Sequence, residues 1–251
     1  MRLDEMKVER RLNEIIDKDG VAHLTLIDPD SQNVDRAAEI AADATASGTD
    51  AIMIGGSVGA GGSQLDQTLL AIKKRTDLPT ILFPSGVYGL SKHADAVFFM
   101  SLLNSRNVTY ITTHQALGAP IIKRYELEPI PMAYLLIHPG GTAAWIGDAK
   151  PIPREKPELA VAYALAAKYL GMRWVYLEAG SGVDEPVPTS LIQAVKESIG
   201  DTKVIVGGGI RDGTSAEQCA KAGADVIVTG TVVEEENAKS KIEEIVRAIK
   251  E

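Results

Sequence analysis

The sequence of 251 residues is poor in cysteine and has no long apolar segment, and each absence excludes a class of protein. The single cysteine, Cys219, excludes an intrachain disulfide and favours a reducing compartment. We expect Cys219 to be buried and structural, because no neighbour in the segment AEQCAKAG would favour a thiolate. The charged N-terminus is not a signal peptide, and no segment is long enough to span a membrane. The sequence therefore indicates a cytoplasmic protein with at most peripheral membrane contact.

Basic residues are scarce and scattered along the chain. Lys and Arg together number 26 against 34 Asp and Glu, which gives a formal net charge of −8. A domain this acidic would need a compact cluster of Lys and Arg to bind nucleic acid, and the sequence has no such run. We therefore exclude nucleic acid as a partner. The length and the 45 % hydrophobic content fit one globular domain over residues 1–251.

Eight short apolar segments alternate with segments of helical periodicity, as in a parallel sheet with crossover helices. Several of them are apolar throughout rather than alternating, which is typical of strands covered on both faces. Eight such strands predict a closed (βα)8 barrel, or TIM barrel, and an open doubly wound sheet is the alternative. The predicted strands are residues 22–28, 50–56, 80–84, 95–101, 132–138, 174–180, 203–209 and 225–231.

The interval between the third and fourth predicted strands breaks this alternation. Residues 85–94, SGVYGLSKHA, are too few and too rich in glycine for a crossover helix. The prediction is thus a modified α/β barrel that lacks one outer helix after the third strand. Five apolar residues that follow at once suit a groove for an apolar ligand, although each of them alone is better explained as core. They are Phe98, Phe99, Met100, Leu102 and Leu103.

Helix boundaries and one insertion complete the predicted layout. We expect an N-terminal helix that ends at Gly20, and a later helix that begins with a capping box of Thr214 and Glu217. We expect residues 138–157 to form a long loop or an insertion. Trp145 in that loop is either folded under it or placed in a contact with another subunit.

In a parallel barrel the active site lies at the C-terminal ends of the strands, and this rule selects the candidate residues. Asp28 and Asp30 follow the first strand, and Ser57 follows the second. Their oxygens suit Mg²⁺, which is commonly held by one or two carboxylates together with substrate phosphates. Asp30 has an alternative role as the cap of a helix that begins near Val34. His138 is well placed after the fifth strand but has no partner in the sequence.

Glycine-rich turns after the last two strands are the firmest functional signal. The segments VIVGGGIRDG and VIVTGT place backbone N–H groups where a ligand can approach closely, and each leads towards a helix N-terminus. Such N–H groups bind phosphate without a cationic side chain, and phosphate sites at these two strands recur in this fold. The sixth strand ends in YLEAGSG, where Glu178 can act as a general base towards a hydroxyl, hydrogen-bond a polyol or cap the following turn.

In this order and spacing, the segments HLTLIDPD, MIGGS, YLEAGSG, VIVGGGIRDG and VIVTGT resemble the geranylgeranylglyceryl phosphate synthase family over nearly the whole chain from His23 onward. Members of that family are Mg²⁺-dependent prenyltransferases on a barrel that has lost one outer helix. The resemblance implies transfer of a geranylgeranyl group from its diphosphate to the 3-hydroxyl of sn-glycerol 1-phosphate, with release of diphosphate. The product would be 3-O-geranylgeranyl-sn-glyceryl 1-phosphate, an early intermediate of ether-lipid synthesis.

The resemblance also implies roles for particular residues. It makes Asp28 and Ser57 the Mg²⁺ contacts, and Glu178 the group that orients or deprotonates the glycerol hydroxyl. Leu26 stands where one branch of the family has a lysine, so the chain resembles the other branch, group II, whose members often form larger oligomers. A homo-oligomer, dimer or hexamer, is therefore implied, with Trp145 as a candidate interface residue. The implied contacts to sn-glycerol 1-phosphate are Tyr176, Leu177, Glu178, Ala179, Gly180, Ser181, Gly182, Gly207, Gly208, Thr229 and Gly230.

Two other functions stay open on the sequence alone. A phosphosugar isomerase, aldolase or lyase on the same barrel would use Asp28 and Glu178 as an acid–base pair, with neither a metal nor an apolar groove. A non-catalytic binding or assembly module would hold a phosphorylated ligand without turnover. The carboxylates at the expected strand ends argue against the binding module.

Overall fold

The computed structural model describes residues 7–56, 61–235 and 237–250, and the eight strands in them form one closed parallel barrel. Each strand pairs with the next in chain order, and β1 completes the ring by pairing with β8. The closed ring rules out the open doubly wound sheet. The strands are β1 Ala22–Ile27, β2 Ala51–Ile54, β3 Thr80–Leu82, β4 Ala96–Leu102, β5 Glu128–Leu136, β6 Trp174–Glu178, β7 Lys203–Gly207 and β8 Val226–Thr229.

All eight predicted strands are present, with boundaries that differ by a few residues. The largest difference is in β5, which begins at Glu128 rather than at residue 132. Pro129 and Pro131 hide its start in the sequence, because proline cannot donate a ladder hydrogen bond and is depleted in strands. Both prolines nevertheless pair in register with β4, opposite Val97 and Phe99.

The helices lie around the outside of the barrel, except for α1. They are α1 Lys7–Asp19, α2 Val34–Ala46, α3 Gly62–Ile72, α4 His114–Tyr125, α5 Gly141–Ile146, α6 Pro157–Tyr169, α7 Thr189–Ile199, α8 Gly213–Lys221 and α9 Ala238–Lys250. The expected end of α1 is confirmed, since Gly20 follows it with a φ of 85°. Cys219 is buried in α8, as expected, and burial raises the pKa of its thiol to about 12.

Two sequence-based expectations about helices are wrong. The capping box of Thr214 and Glu217 does not form, because α8 begins earlier and its N-cap is Asp212, whose carboxylate accepts the N–H of Ser215 at 2.8 Å. The expected loop at residues 138–157 contains the short helix α5. A six-residue helix with glycine at its N-cap and at its first position leaves little periodicity for a sequence to show.

The missing outer helix is confirmed. Residues 83–95, all of which the structure describes, contain one 3-10 turn at Val87–Gly89 and no α-helix. After β4 the chain makes a π-helical turn at Thr109–Thr113 and continues directly into α4. The flank of the barrel next to β3 and β4 is therefore covered by α4 and the 3-10 turn instead of by a regular crossover helix.

The N-terminal end of the barrel is closed by α1. Its apolar side chains Val8, Leu12 and Ile16 are buried in the same cluster as the barrel interior. The carboxylate of Glu9 accepts the indole N–H of Trp174 at 2.8 Å and two guanidinium N–H groups of Arg173 at 2.6 and 2.7 Å. With this end filled, the barrel is open at its C-terminal mouth. Among the described residues, no helix has the length and apolarity needed to cross a membrane.

Candidate active site

One cavity of about 450 Å³ occupies the C-terminal mouth of the barrel and extends to one flank. Its polar side is formed by the ends of β1, β6 and β8, which bring together Asp28, Glu178, Ser181 and Gly230. Its apolar side is formed by β4 and α4, where the outer helix is missing. We call this second part the groove. It is lined by Leu90, Val97, Phe98, Phe99, Met100, Leu102, Gly118 and Ile122.

Asp28 follows β1 and points into the cavity, half-buried. Its Oδ1 accepts the N–H of Asp30 at 2.9 Å, and its carboxylate packs against Gly56, where any Cβ would collide with both oxygens. Burial raises the pKa of Asp28, the Asp30 N–H opposes this shift, and the nearby carboxylates of Asp30 and Glu234 raise the pKa further. Asp28 thus carries its charge in an electronegative environment that favours a bound cation.

A metal ion at Asp28 would depend on the substrate for most of its ligands. Among the described residues, no three His, Cys, Asp or Glu side chains are grouped to hold a metal. Ser57, the second expected ligand, lies outside the described residues. A single half-buried carboxylate at a wide cavity still fits Mg²⁺, which usually keeps several waters and binds one or two carboxylates plus substrate phosphates. Asp30 does not cap α2, because the side chain of Asn33 accepts the N–H of Arg36.

Glu178 ends β6 and is the buried carboxylate of the polar side, with 7 % of its surface exposed. Its Oε1 accepts the N–H of Gly180 at 2.6 Å. Burial raises the pKa of Glu178, and hydrogen bonds from the Tyr176 hydroxyl and the Gly180 N–H oppose that rise. A carboxylate with a raised pKa in a cavity wall is suited to take a proton from a bound hydroxyl near neutral pH.

The alternation of β6 separates its residues into two faces. Tyr176 belongs to the cluster inside the barrel, whereas Leu177 and Ala179 belong to the outer core between strands and helices. Since neighbouring residues of a strand point to opposite faces, Glu178 shares the inner face with Tyr176. Leu177 and Ala179 can therefore reach a ligand only through their backbone. Glu178 lines the cavity, whereas Tyr176 is almost completely buried and its hydroxyl bonds to Glu178.

Close backbone approaches form the turn after β6. Gly180, at a φ of 118°, lies against the N-terminus of α5, and a Cβ there would be 2.7 Å from the nitrogen of Gly141. Gly208 has a φ of 79°, and a Cβ on it would collide with the carboxylate of Glu178. Glycine is required at both positions for this geometry. The two turns bring the backbone after β6 and β7 together beside Glu178, which suits a phosphate group. Of the neighbouring residues, Ser181 lines the cavity, and Gly182 is exposed.

Thr229 points away from the cavity. Its hydroxyl lies 3.0 Å from Nε2 of His23, whose Nδ1 is 2.6 Å from the hydroxyl of Thr49, on the outer face of the strands. Burial, and secondarily the charge of Lys250, lowers the pKa of His23 to about 3, so the imidazole is neutral. This arrangement gives His23 a structural role. A ligand would meet Thr229 through its backbone, while Gly230 faces the cavity.

The α5 segment takes part in the cavity wall, which the sequence did not indicate. Thr142, Ala143 and Ile146 line the cavity between the turn after β6 and the groove. Trp145, on the opposite side of α5, is 83 % exposed, so it is not folded under its own loop. His138 is exposed and is absent from the cavity wall that the described residues form.

Three aromatic residues of the cavity wall were not selected from the sequence: Phe83, Tyr110 and Tyr134. Phe83, directly after β3, and Tyr134, in β5, both line the cavity. The strand-end rule applied to the third strand would have selected Phe83, whereas Tyr134 lies inside its strand and gave no signal. Within the predicted groove set, Phe98, Phe99, Met100 and Leu102 line the cavity, and Leu103 packs against the outer core.

A parallel barrel with glycine turns, a buried carboxylate and a half-buried aspartate at one mouth is typical of phosphate-binding enzymes, and the groove suits an apolar co-substrate. The chain belongs to the PcrB family, whose profile matches residues 13–249. Its relatives include two proteins named geranylgeranylglyceryl phosphate synthase. The one from Methanococcoides burtonii is 61 % identical over 246 residues, covering 98 % of this chain and 100 % of that protein. The one from Methanosarcina mazei is 62 % identical over the same length and coverage.

A solved structure is also similar over nearly the whole chain. It is the (S)-3-O-geranylgeranylglyceryl phosphate synthase from Thermoplasma acidophilum in complex with its substrate sn-glycerol-1-phosphate. The two chains are 44 % identical with a TM-score of 0.91, and the match covers 95 % of this chain and 98 % of that one. The fold of nearly the whole chain is thus shared with that protein.

Proposed function

We propose that the protein is a geranylgeranylglyceryl phosphate synthase, a prenyltransferase of ether-lipid synthesis. It joins geranylgeranyl diphosphate to the 3-hydroxyl of sn-glycerol 1-phosphate and releases diphosphate, giving 3-O-geranylgeranyl-sn-glyceryl 1-phosphate. The observation that carries this proposal is the continuity of the cavity. One space connects Asp28 and Glu178 with an apolar groove, so a charged acceptor and a long hydrocarbon donor can meet in it.

On this proposal the turns after β6, β7 and β8 hold the phosphate of the acceptor. Backbone N–H groups near Gly208 and Gly230 supply donors, and Ser181 adds a hydroxyl at the cavity wall, while the N–H of Gly180 already bonds to Glu178. The backbone of Leu177, Ala179, Gly182, Gly207 and Thr229 completes the set implied by the resemblance. Glu178 then lies beside the glycerol portion, where its carboxylate orients the 3-hydroxyl and takes its proton as the new C–O bond forms.

Asp28 and Ser57 are the residues we propose to hold Mg²⁺. When bound, the ion neutralises the diphosphate and so makes it a better leaving group. Asp28 contributes charge to that site and helps to orient the donor, with the diphosphate supplying further ligands. The groove side chains position the isoprenoid tail and keep water away from the allylic carbon. Attack of water on that carbon would hydrolyse the donor.

The oligomeric state and the location are further parts of the proposal. We propose a homo-oligomer, dimer or hexamer, because Trp145 presents a large apolar surface on the outside of α5. A cytoplasmic location rests on the sequence alone. The isomerase, aldolase or lyase alternative is less favoured, since it gives no use to a groove lined by eight mostly apolar residues, and the binding module gives no use to the buried Glu178.

The test is a direct assay of transfer. Purified protein is incubated with radiolabelled sn-glycerol 1-phosphate, geranylgeranyl diphosphate and Mg²⁺, with a parallel sample containing EDTA. We expect label to become extractable into organic solvent only in the presence of the metal. If sn-glycerol 1-phosphate binds but no prenyl diphosphate of any length supports transfer, the prenyltransferase proposal is wrong.

A further inference from the structure

Four aromatic side chains meet inside the barrel mouth, on the boundary between the polar side and the groove. Phe83 is the central one: its ring centroid lies 5.2 Å from that of Tyr134, 5.6 Å from Tyr176 and 6.4 Å from Phe98. Phe98 and Tyr176 are almost completely buried, each with 1 % exposed. Phe83 is only partly buried and presents the rest of its ring to the cavity.

Phe83 is linked to both Asp28 and Glu178 through neighbouring residues. Its backbone carbonyl lies against Gly55, while the carboxylate of Asp28 lies against the adjacent Gly56. On its other side, Phe83 packs on Tyr176, whose hydroxyl bonds to Glu178. The fixed backbone contact and the packed ring leave Phe83 little freedom to move away.

The proposed function places the reacting carbon of the donor beside this ring. The allylic C1 of the donor is bonded to the diphosphate, which belongs near Asp28, and it is attacked by the glycerol oxygen, which belongs near Glu178. Its tail must enter the groove, which begins at Phe98 and Phe99. The carbon that satisfies all three conditions lies in the part of the cavity that Phe83 faces.

We propose that Phe83 is a catalytic residue of the transfer, a role that rests on the proposed function: its ring contacts C1 of the donor and stabilises the positive charge that develops there. As the C1–O bond to diphosphate breaks, the electron pair leaves with the diphosphate. The glycerol oxygen forms the new bond to C1, and its proton passes to Glu178. An aromatic ring stabilises a nearby cation through its quadrupole and, unlike a carboxylate, does not capture it.

Tyr134 is a positioning residue for this ring. It packs against Phe83 at an interplanar angle of 89° and against Tyr176 at a centroid distance of 5.2 Å. Burial, and secondarily the charge of Glu178, keeps the pKa of Tyr134 well above its ordinary value. Its hydroxyl therefore stays protonated beside the base and does not become a competing nucleophile.

The experiment replaces Phe83 with phenylalanine carrying one, two and three ring fluorines, which withdraw electron density from the ring and nearly preserve its shape. We expect kcat to fall with each fluorine, by at least about tenfold over the series, as expected for loss of about 1.4 kcal/mol of cation stabilisation. The KM for sn-glycerol 1-phosphate and the melting temperature should stay nearly constant. A merely structural role of Phe83 would leave kcat flat across the series.

The same fluorinated residues at Tyr169, an exposed position at the end of α6, serve as the matched control and should leave kcat unchanged. In a second variant, Phe83→Leu, we expect a folded protein that has lost at least about tenfold in kcat. A flat fluorine series in an enzyme that transfers prenyl groups would overturn the role of Phe83 alone. Absence of transfer in the unsubstituted protein would overturn the proposed function itself, so the two failures are distinguishable.

Discussion

The two sides of the barrel mouth are built in opposite ways. The polar side consists of backbone turns, in which Gly180 and Gly208 allow approaches that no other residue would permit. The groove consists of side chains from β4 and α4, and it exists because a crossover helix is replaced by the 3-10 turn at Val87–Gly89. The polar side therefore depends on glycine at particular positions, whereas the groove depends on the absence of a crossover helix.

Because of this difference, the two sides tolerate different amounts of sequence change. A turn that holds phosphate through N–H groups tolerates little change, because its geometry depends on positive φ angles and close packing. A groove formed by side chains can change its length and width through single substitutions without altering the barrel. We infer that the backbone turns determine which acceptor binds. The chain length of the donor, in contrast, is determined by replaceable residues such as Gly118.

The largest effect should come from Asp28, the residue of the polar side at which the donor's diphosphate is proposed to bind. We expect Asp28→Ala to reduce kcat by at least about a thousandfold, because the leaving diphosphate loses its metal-holding carboxylate. Circular dichroism and the melting temperature should show an intact fold. Asp35→Ala, which removes an exposed acid from the first turn of α2, is the control and should keep normal turnover. A fully active Asp28→Ala protein would contradict the metal assignment.

Glu178 tests the polar side by itself. We expect Glu178→Gln to lower kcat by at least about tenfold, because the amide cannot accept the glycerol proton. The pKa of Glu178 is raised by burial, so the rate of the wild type should fall as the pH drops through a value above that of an ordinary glutamate, where the base becomes protonated.

The pH profile of the Glu178→Gln variant should lose that acidic limb. Glu185→Gln, on the same loop but with its side chain largely exposed, is the matched control and should retain both the rate and the limb. An unchanged acidic limb in Glu178→Gln would assign it to another group.

Gly118 tests the groove by itself. It is a buried residue of α4 that lines the groove, and a Cβ there would make ordinary contact with Leu90 at 3.5 Å. We expect Gly118→Leu to lower kcat/KM for geranylgeranyl diphosphate by about tenfold and to leave the geranyl donor within about twofold, because the side chain shortens the groove. Competition between the two donors measures this ratio. Ala116→Leu, at an exposed position of α4, should not change it.

The smallest expected effect concerns His23, which lies on the outer face of the strands. His23 is neutral in the fold because its pKa is lowered to about 3, against an ordinary value of 6.5. Below pH 6.5 the unfolded chain binds a proton that the folded chain does not, so the stability from this residue is lost as the pH falls from 6.5 towards 3. Between pH 6.5 and pH 5 the expected loss of unfolding free energy is about 2 kcal/mol. Urea titrations of the wild type and His23→Gln would compare the two pH slopes, and equal slopes would contradict the shift.

Much of the barrel and of its polar side followed from the sequence. Buried strands show as continuous apolar segments, the short interval at residues 85–94 revealed the missing helix, and Glu178 stands at a strand end in a glycine-rich segment. These features are local. Thr229 is a residue whose orientation could not be predicted from local features. The alternation of β8 places Thr229 and Gly230 on opposite faces, but it does not determine which face points into the barrel. Pairing with β1 decides it: Thr229 pairs with Thr25, and its hydroxyl is hydrogen-bonded to His23 on the outer face.

The remaining features depend on tertiary contacts. The short helix α5 enters the cavity wall because Gly141 packs on Gly180, a contact between two loops that no periodicity announces. The place of Phe83 depends on packing against Tyr134 and Tyr176 from two other strands. Side chains brought together from separate strands are visible only once the barrel is closed.

The central claim is that acceptor and donor bind at two separate sides of one cavity. Calorimetric titration of sn-glycerol 1-phosphate, and separately of a geranylgeranyl diphosphate analogue with Mg²⁺, into the wild type, Ser181→Glu and Gly118→Leu tests it most directly. We predict that Ser181→Glu weakens acceptor binding at least about tenfold through charge repulsion and leaves the donor analogue within about twofold. Gly118→Leu should show the reverse. If each variant weakened both ligands equally, the two-sided account of the mouth would be contradicted.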